Sequence, residues 1–320
     1  MTRYIITRII HAIPLLLGIT LISFFIMQMA PGDYFTKLQL NPEISKDTME
    51  QLRLRFGFDK PLIIQYFKWL SGVIRMDLGN SFVYQIPVSV LIKERLFNTL
   101  LLSIVSIIII WFIAIPLGIL CATHRNKWID IFLSGTSFIG ISIPSFFLAF
   151  LLLYAASTTG FLPTGGITDA EHSSYTIFGK LSDYIKHLII PSFVIALANI
   201  AGLMRIMRSN MLDEINQPYT ILARAKGLSA ARTTYKHVLR NAINPLITIF
   251  GYQISGILSG AALTEIILSW PGMGKLMLDA ILQQDLYLVM ANLFISSMLL
   301  IVGNLFADVM LAMADPRIRK

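Results

Sequence analysis

Apolar segments of about twenty residues recur along the chain and are separated by polar or mixed stretches. The first, Ile9 to Met29, would be roughly 31 Å long as an α-helix, which matches the thickness of a bilayer core. A cleaved signal peptide is the alternative, but the apolar run is too long and its cleavage sequence is poor. Five later segments are also long enough to cross a bilayer: Thr99 to Ala122, Ile131 to Ser157, Leu188 to Met207, Leu246 to Leu268 and Leu288 to Ala312. The pattern predicts an all-α membrane protein with six transmembrane helices, and therefore both termini on one side.

The polar stretches divide the chain into three parts. Residues 1–29 hold the N-terminus and transmembrane helix 1, residues 30–98 form a polar external insertion, and residues 99–320 carry transmembrane helices 2 to 6. Within the insertion, capping residues predict one helix from Lys46 to Phe56 and another whose first turn contains Pro61. The insertion carries mixed charges, so we interpret it as a small external cap.

The loop between transmembrane helices 4 and 5, residues 208–244, has an organisation of its own and is called the connector below. A helical spacing of i, i+3, i+4 and i+7 relates Tyr219, Leu222, Ala223 and Lys226. Gly227 then supplies the left-handed residue that ends a helix. A second helix is predicted from about Ala230 to Asn241, with an apolar face of Tyr235, Val238, Leu239 and Ala242. A separate basic stripe consists of Arg232, Lys236 and Arg240. The connector therefore has the form of a docking element.

Composition agrees with a membrane location. The chain is 55% hydrophobic and 14% charged, with a mean hydropathy of +0.70, so it carries more apolar surface than a water-soluble domain of 320 residues can bury. Its single cysteine, Cys121, lies in an apolar run and excludes a disulfide framework. The net charge of +8 could indicate nucleic acid binding, but anionic lipid headgroups explain it better, because the basic residues flank the apolar segments.

Those basic residues also predict the orientation. They lie at one set of span ends: Arg3 and Arg8; Arg125 and Lys127; Arg205, Arg208, Arg224, Lys226, Arg232, Lys236 and Arg240; and Arg317, Arg319 and Lys320. The positive-inside rule makes these segments cytoplasmic. The connector and both termini are therefore expected in the cytosol, and the loop of residues 158–187 outside.

Motifs for chemistry are missing from the sequence. The segment Gly272 to Leu276 superficially resembles a phosphate-binding loop, but Ser269 occupies the first glycine position and Leu276 follows the lysine. No pair among the five histidines has metal-ligand spacing, and no hydrolase motif occurs. We therefore expect no catalytic residue, no metal and no cofactor in this chain, which is not predicted to be an enzyme.

Polar residues occur at the depth of several predicted spans, whereas lysine and arginine do not. A proton-coupled carrier would more often bury an ionisable relay, but Glu265 and Asp308 lie close to the predicted ends of their spans. The candidates for lining a translocation pathway are Asn199, Gln253, Ser259, Glu265, Asn292 and Asn304. The alternative is that these side chains only join helices, at ~0.6 kcal/mol for each hydrogen bond.

Short motifs along nearly the whole chain resemble one family. The connector motif Ala223-Arg-Ala-Lys-Gly227, followed by His237-Val-Leu-Arg-Asn-Ala-Ile-Asn-Pro245, is similar to the cytoplasmic signature loop of binding-protein-dependent ABC importer permeases. The form is that of the dipeptide, oligopeptide and nickel group, with Ile221 and Leu222 in place of the first two residues of the general importer pattern. Further similar segments are Ile13-Pro-Leu-Leu-Leu-Gly-Ile-Thr20, Ala30-Pro-Gly-Asp33, Phe56-Gly-Phe-Asp-Lys-Pro61, Asp77-Leu-Gly-Asn-Ser81, Leu162-Pro-Thr-Gly-Gly166, Trp270-Pro-Gly-Met-Gly274 and Asp315-Pro-Arg317.

The resemblance implies a six-helix bundle of the type I ABC importer permease kind, with an external insertion after helix 1, in the inner membrane of a bacterium. It implies three kinds of partner besides membrane lipids: a second homologous permease chain, giving a heterodimer, two cytosolic ABC ATPases, and an external substrate-binding protein. ATP and Mg²⁺ would be bound by the ATPases only. No nucleic acid partner is implied.

It further implies that the connector transmits ATPase motion to the membrane helices. The residues expected to do so are Tyr219, Leu222, Ala223, Arg224, Ala225, Lys226, Gly227, Arg232, Lys236, Leu239 and Arg240. An amphipathic element lying on anionic lipid is the alternative for this segment. Peptides are the expected cargo, nickel or a metal chelate is the second candidate, and a carrier or channel that works alone is a more distant alternative.

Overall fold

The computed structural model describes residues 2–29, 57–247 and 262–314, together with a few single residues between 34 and 54 and residues 249, 250 and 253. Within these ranges the chain is helical and contains no strand, only an isolated bridge between Asn80 and Pro87. The helices are α1 (Thr2–Met29), α2 (Leu62–Ile74), α3 (Val88–Thr123), α4 (Trp128–Ser142), α5 (Ser145–Thr159), α6 (Ile177–Ile215), α7 (Pro218–Ala225), α8 (Ala230–Arg232), α9 (Leu239–Ala242), α10 (Ala262–Ile267), α11 (Met273–Leu282) and α12 (Leu286–Ala314). A 3₁₀ turn (His172–Ser174) precedes α6, and a π-helix (Thr233–Val238) joins α8 to α9. The predicted all-α class is confirmed.

Four of these helices, α1, α3, α6 and α12, are long and apolar enough to cross a membrane. The predicted span Ile131 to Ser157 is not one straight helix, because α4 and α5 meet at a bend of 96°. Ile143 and Pro144 are both extended at the break, as expected where a proline lacks an N–H and disfavours a helical residue before it. About half of the predicted span Leu246 to Leu268 lies outside the described residues, as does about half of the predicted helix Lys46 to Phe56.

Two spans are longer than hydropathy predicts. Helix α3 begins at Val88, inside the range predicted for the external insertion, and α6 runs from Ile177 to Ile215 where residues 188–207 are apolar. With a rise of 1.5 Å per residue, α6 is roughly 58 Å long and exceeds the thickness of a bilayer core. Its last turns therefore form the first part of the connector.

Two compact units make up the chain, the first comprising the described residues of Met1–Asn98 and Gly272–Ile301. Its core is rich in aromatic residues, and the hydroxyl groups of Tyr66 and Thr20 lie 3.0 Å apart in it. Asp285 is buried and accepts hydrogen bonds from the Ser81 hydroxyl and from the Leu288 N–H in the first turn of α12. This carboxylate therefore caps a long apolar helix and anchors the segment that precedes α3.

The second unit comprises the described residues of Thr99–Pro271 and Val302–Lys320. Helices α4 and α5 both pack against α6, and the core between α3 and α6 contains Leu102, Ile110 and Met207. Gly118 on α3 is pressed against α6, since a Cβ placed there would lie 2.7 Å from the Cβ of Met207. Close approach at a small residue is typical of helix packing in membranes.

Candidate coupling surface

The connector folds as two short helices, as predicted, and the first is α7. Pro218 occupies its first turn, where a missing N–H costs nothing. At its end the Gly227 N–H donates to the Arg224 carbonyl at 2.9 Å, and the Leu228 N–H donates to the Ala223 carbonyl at 3.3 Å. This is a Schellman motif, and Gly227 takes the left-handed conformation it needs, with φ of +81°. The sequence identified this residue correctly as the helix end.

The second helix runs through α8, the π-helix and α9. Ser229 caps it, because its hydroxyl accepts a hydrogen bond from the Arg232 N–H at 3.3 Å. Six residues, Thr233–Val238, are in the wider π form, which is rare and is found disproportionately at functional sites. The sequence predicts a helix here but not its π character, because no residue in the segment signals it.

One side of the connector is fixed to the long helix α6. The Thr220 hydroxyl donates to the Glu214 carbonyl at 2.9 Å, and the Asn210 amide donates to the Ala242 carbonyl at 3.1 Å. The Tyr219 hydroxyl donates to the Glu214 carboxylate. Burial, and then this hydrogen bond, raise the pKa of the Tyr219 phenol, so it remains a donor. The connector is therefore attached at both of its helices.

The other side is exposed and combines apolar with basic residues. Ile221 is 60% exposed, Leu222 55% and Tyr235 61%. The exposed residues around them are Arg224, Ala225, Lys226, Gly227, Arg232, Lys236 and Arg240. We call this set, with the three apolar residues, the coupling surface. Exposed apolar groups rimmed by charges are typical of interaction sites.

The predicted helix faces differ from those in the structure. Sequence periodicity placed Leu222 with Ala223 and Tyr235 with Val238, yet Ala223 and Val238 are buried while Leu222 and Tyr235 are exposed. Leu239 and Tyr219 are half-buried. The sequence does not show which of two neighbouring apolar positions at the edge of a helix face is buried. That is decided by how the helix packs against α6. The larger apolar side chains are thereby left available to a partner.

An ion pair that the sequence did not indicate holds the base of the connector. The Arg208 guanidinium donates to both Asp130 carboxylate oxygens, with Nε to Oδ1 at 2.6 Å and Nη2 to Oδ2 at 2.7 Å. Asp130 is buried and also accepts from the Asn126 N–H at 3.0 Å and from the Ser134 hydroxyl. This bidentate ion pair, called the Arg208 fork below, joins α6 to the start of α4. The only sequence signal was an acidic residue among basic flanks, in the first turn of a helix.

The predicted pathway residues mostly have partners within the protein. The Asn199 amide donates to the Ile195 carbonyl at 2.8 Å, and the Gln253 oxygen accepts from the Trp111 indole at 2.8 Å. Glu265 is fully buried and accepts from the Thr99 hydroxyl at 2.7 Å. The bonds of Gln253 and Glu265 connect residues that are far apart in sequence, as in the alternative in which such residues join helices, whereas the Asn199 bond lies within α6.

The remaining pathway candidates divide between the two units. Asn292 is buried and donates to the Met273 carbonyl at 3.1 Å. Asn304 is half-buried, and Ser259 lies outside the described residues. A pathway role for the set therefore remains a prediction.

Comparison with known proteins assigns the whole chain to one family. Residues 114–320 match the family described as binding-protein-dependent transport system inner membrane component, and residues 1–103 match the N-terminal region of such components. The oligopeptide transport system permease protein AppB of Bacillus subtilis is 46% identical over 320 residues, covering 99% of each chain. A putative peptide permease protein of Brucella suis is 35% identical, and the dipeptide transport system permease protein DppB of Escherichia coli is 33% identical; each comparison covers 100% of this chain and 99% of the relative.

Membership of this family explains the apolar helices and the missing catalytic motifs together. A permease component is a multi-pass protein of the inner membrane and is not itself a catalyst. Its transport system includes a substrate-binding protein and ATPase subunits. The chain belongs to the binding-protein-dependent transport system inner membrane components, the permeases of ABC importers.

Proposed function

We propose that this chain is the permease subunit of an ATP-driven importer of peptides and forms half of its translocation pathway. The cargo follows from the relatives, which are named for oligopeptide, dipeptide or peptide transport. Those names do not favour the nickel alternative. The other half of the pathway would be a second, homologous permease chain, and two cytosolic ATPases would supply the energy.

The coupling surface is the observation that carries this proposal. It presents Leu222 and Tyr235 beside basic residues on two helices whose other sides are attached to α6. An apolar centre with a charged rim is the usual composition of a protein interface. Because the connector is fixed at both ends, displacement of a bound ATPase would be passed to α6 as a rigid-body motion.

A lipid-bound connector is the competing interpretation. It would need its apolar side chains to lie along one face of an in-plane helix. The exposed apolar residues instead lie on two short helices separated by the Gly227 turn. This arrangement favours a folded partner with a shaped groove.

The test replaces exposed apolar residues with acidic ones. In the complex purified from native membranes, we expect Leu222→Glu or Tyr235→Glu to remove the ATPases from the copurified material and to reduce ATP-dependent peptide uptake at least tenfold. The thermal stability of the permease should change little, because both positions are exposed. Phe161→Glu is the matched control, since Phe161 is 83% exposed on a different loop.

Full uptake by both acidic variants would contradict the role of the coupling surface. Peptide uptake by the purified chain alone, in vesicles without ATPases, would contradict the importer itself and support a stand-alone carrier. In vesicles holding the whole complex, a peptide and Ni²⁺ can be compared directly, and we expect only the peptide to be accumulated.

A further inference from the structure

Four ionisable side chains meet where the loop between α5 and α6 joins α6. Asp169 and His172 come from the loop and its 3₁₀ turn, while Asp183 and His187 lie one turn apart on α6. Asp183 and His187 are almost fully buried, whereas the Asp169 side chain is 49% exposed. The cluster is therefore internal at its base and open to solvent at one edge.

Asp183 is held by several hydrogen bonds. Its carboxylate lies 2.6 Å from the Nδ1 atom of His172 and 3.1 Å from the backbone nitrogen of Asp169, which donates to it. The orientation of this carboxylate is thus imposed by the loop that packs over it. Second-shell bonds of this kind are typical of carboxylates that bind metals.

The proton of the His187 ring can be placed from its contacts. Its Nδ1 atom lies 2.9 Å from the Asp183 carbonyl oxygen and 3.0 Å from the Asp183 carboxylate, and both are acceptors. In the tautomer that donates from Nδ1 to these acceptors, the ring presents a lone pair at Nε2. A backbone carbonyl that accepts from one ring nitrogen while the other is left for an ion is the usual arrangement of a metal-binding histidine.

That lone pair faces another acceptor. The Nε2 atom of His187 lies 3.6 Å from Asp169 Oδ1, beyond hydrogen-bond length, and it forms no hydrogen bond with any residue that the structure describes. Two ligand atoms at 2.0–2.1 Å from a tetrahedral ion would be about 3.4 Å apart. One ligand atom from each of Asp169, Asp183 and His187 lies within 4.8 Å of the other two.

We propose that Asp169, Asp183 and His187 bind a divalent transition-metal ion of the Zn²⁺ class, which ties the α5–α6 loop to α6. One imidazole and two carboxylates are the ligand types of Zn²⁺ sites, and an imidazole argues against Ca²⁺ or Mg²⁺. Solvent reaches the ion past Asp169 and supplies a water as the fourth ligand. The ion is a resident structural group and is separate from the cargo of the importer.

Sequence spacing concealed this site. Asp169 precedes Asp183 by 14 residues, and the intervening loop is irregular, so no regular element predicts that the two meet. The expectation of no metal site was based on the spacing of the histidines and on missing sequence motifs, whereas two of the three ligands proposed here are carboxylates.

The experiment titrates Zn²⁺ into the full-length protein after chelator treatment, purified with a tag that contains no histidine. We expect one Zn²⁺ per chain. Asp169→Asn should weaken its affinity at least tenfold, and this variant should fold because the residue is half exposed. His187→Gln should weaken it as strongly, with the folded state checked by thermal unfolding. Glu171→Gln is the matched control, because Glu171 is an exposed neighbouring acid outside the ligand set, and its affinity should stay within twofold.

Co²⁺ gives a second measurement that does not depend on stability. Bound in the same site, it should show the intense visible absorption of tetrahedral coordination, and Asp169→Asn should remove that absorption. The absence of stoichiometric Zn²⁺ binding by the wild-type protein would overturn the proposal. Equal binding by the wild-type protein and Asp169→Asn would also overturn it and would mean adventitious metal only.

Discussion

At the scale of single residues, Gly227 is the position where sequence and structure agree most closely. Its φ of +81° is strained for any residue with a Cβ, although a Cβ there would meet no atom within 4 Å. We expect Gly227→Val to destabilise the end of α7 by roughly 1–2 kcal/mol through backbone strain alone. The measurement is peptide uptake by the complex together with recovery of the ATPases, and both should fall.

Two further variants distinguish a specific effect of Gly227→Val on the connector from a general loss of protein stability. Gly227→Asn should keep most of the uptake, because asparagine tolerates the left-handed conformation. Gly160→Val carries the same kind of strain, with φ of +64° and open space, but lies outside the connector. Uptake by Gly227→Val equal to that of Gly160→Val would count against a special role for the connector turn.

The ion pair at the base of the connector gives a second prediction. Arg208→Gln leaves Asp130 buried without its cation, and breaking a buried pair costs roughly 3 kcal/mol. The midpoint of thermal unfolding in detergent should therefore fall by several degrees. Adding Asp130→Asn to this variant should recover part of the loss, since the unpaired charge is then removed.

Arg205→Gln is the matched control for the ion pair. Arg205 is exposed one turn earlier on α6, and its guanidinium lies 5.3 Å from the centre of the Phe138 ring. Losing such a contact costs about 0.5–1 kcal/mol. A larger fall in unfolding temperature for Arg205→Gln than for Arg208→Gln would show that the buried fork does not stabilise the base of the connector.

Features that depend on neighbouring residues could be predicted from the sequence, whereas contacts between residues far apart in the sequence could not. Gly227 was identifiable because a helix end is decided within a few positions. Asp130 and Arg208 are far apart in sequence, as are Asp169 and His187, and their pairing depends on how α4, α6 and the loop pack. A single sequence carries no record of such tertiary contacts.

At the scale of helices, the contact between α3 and α6 depends on Gly118. We expect Gly118→Ala to destabilise the second unit by roughly 1–3 kcal/mol, because the added methyl group would lie 2.8 Å from the Met204 carbonyl oxygen and closer still to Met207. Gly202→Ala on α6 is the control. A Cβ there meets nothing within 4 Å, so this variant should be neutral or more stable by up to about 1 kcal/mol. Equal unfolding temperatures for the two variants would contradict the close approach.

Hydropathy predicted which helices exist better than where they end. The apolar middles of α3 and α6 were found, but their polar ends were not, since these turns are helical without being apolar. The bend before α5 was missed in a different way. Pro144 disfavours a continuous helix at this point, but a sequence does not specify the angle that the chain adopts after a break.

At the scale of the whole molecule, the predicted orientation can be tested because the only cysteine, Cys121, is buried. Phe161→Cys and Tyr235→Cys place single exposed thiols on two different loops. In intact cells, a membrane-impermeant maleimide should label Phe161→Cys within minutes and should label Tyr235→Cys only after the membrane is opened. Labelling of both from outside would contradict a cytosolic connector and cytosolic termini.

The two attachments of α6 at its connector end have a mechanical consequence. Arg208 holds α4 and Asn210 holds the end of α9, and residues two apart on a helix point to nearly opposite sides. A sideways pull on α9 therefore acts on α6 as torque, and the Arg208 fork conveys that twist to α4. The conformational change in this subunit would therefore begin with rotation of α6 about its own axis, and helices would slide past one another only afterwards.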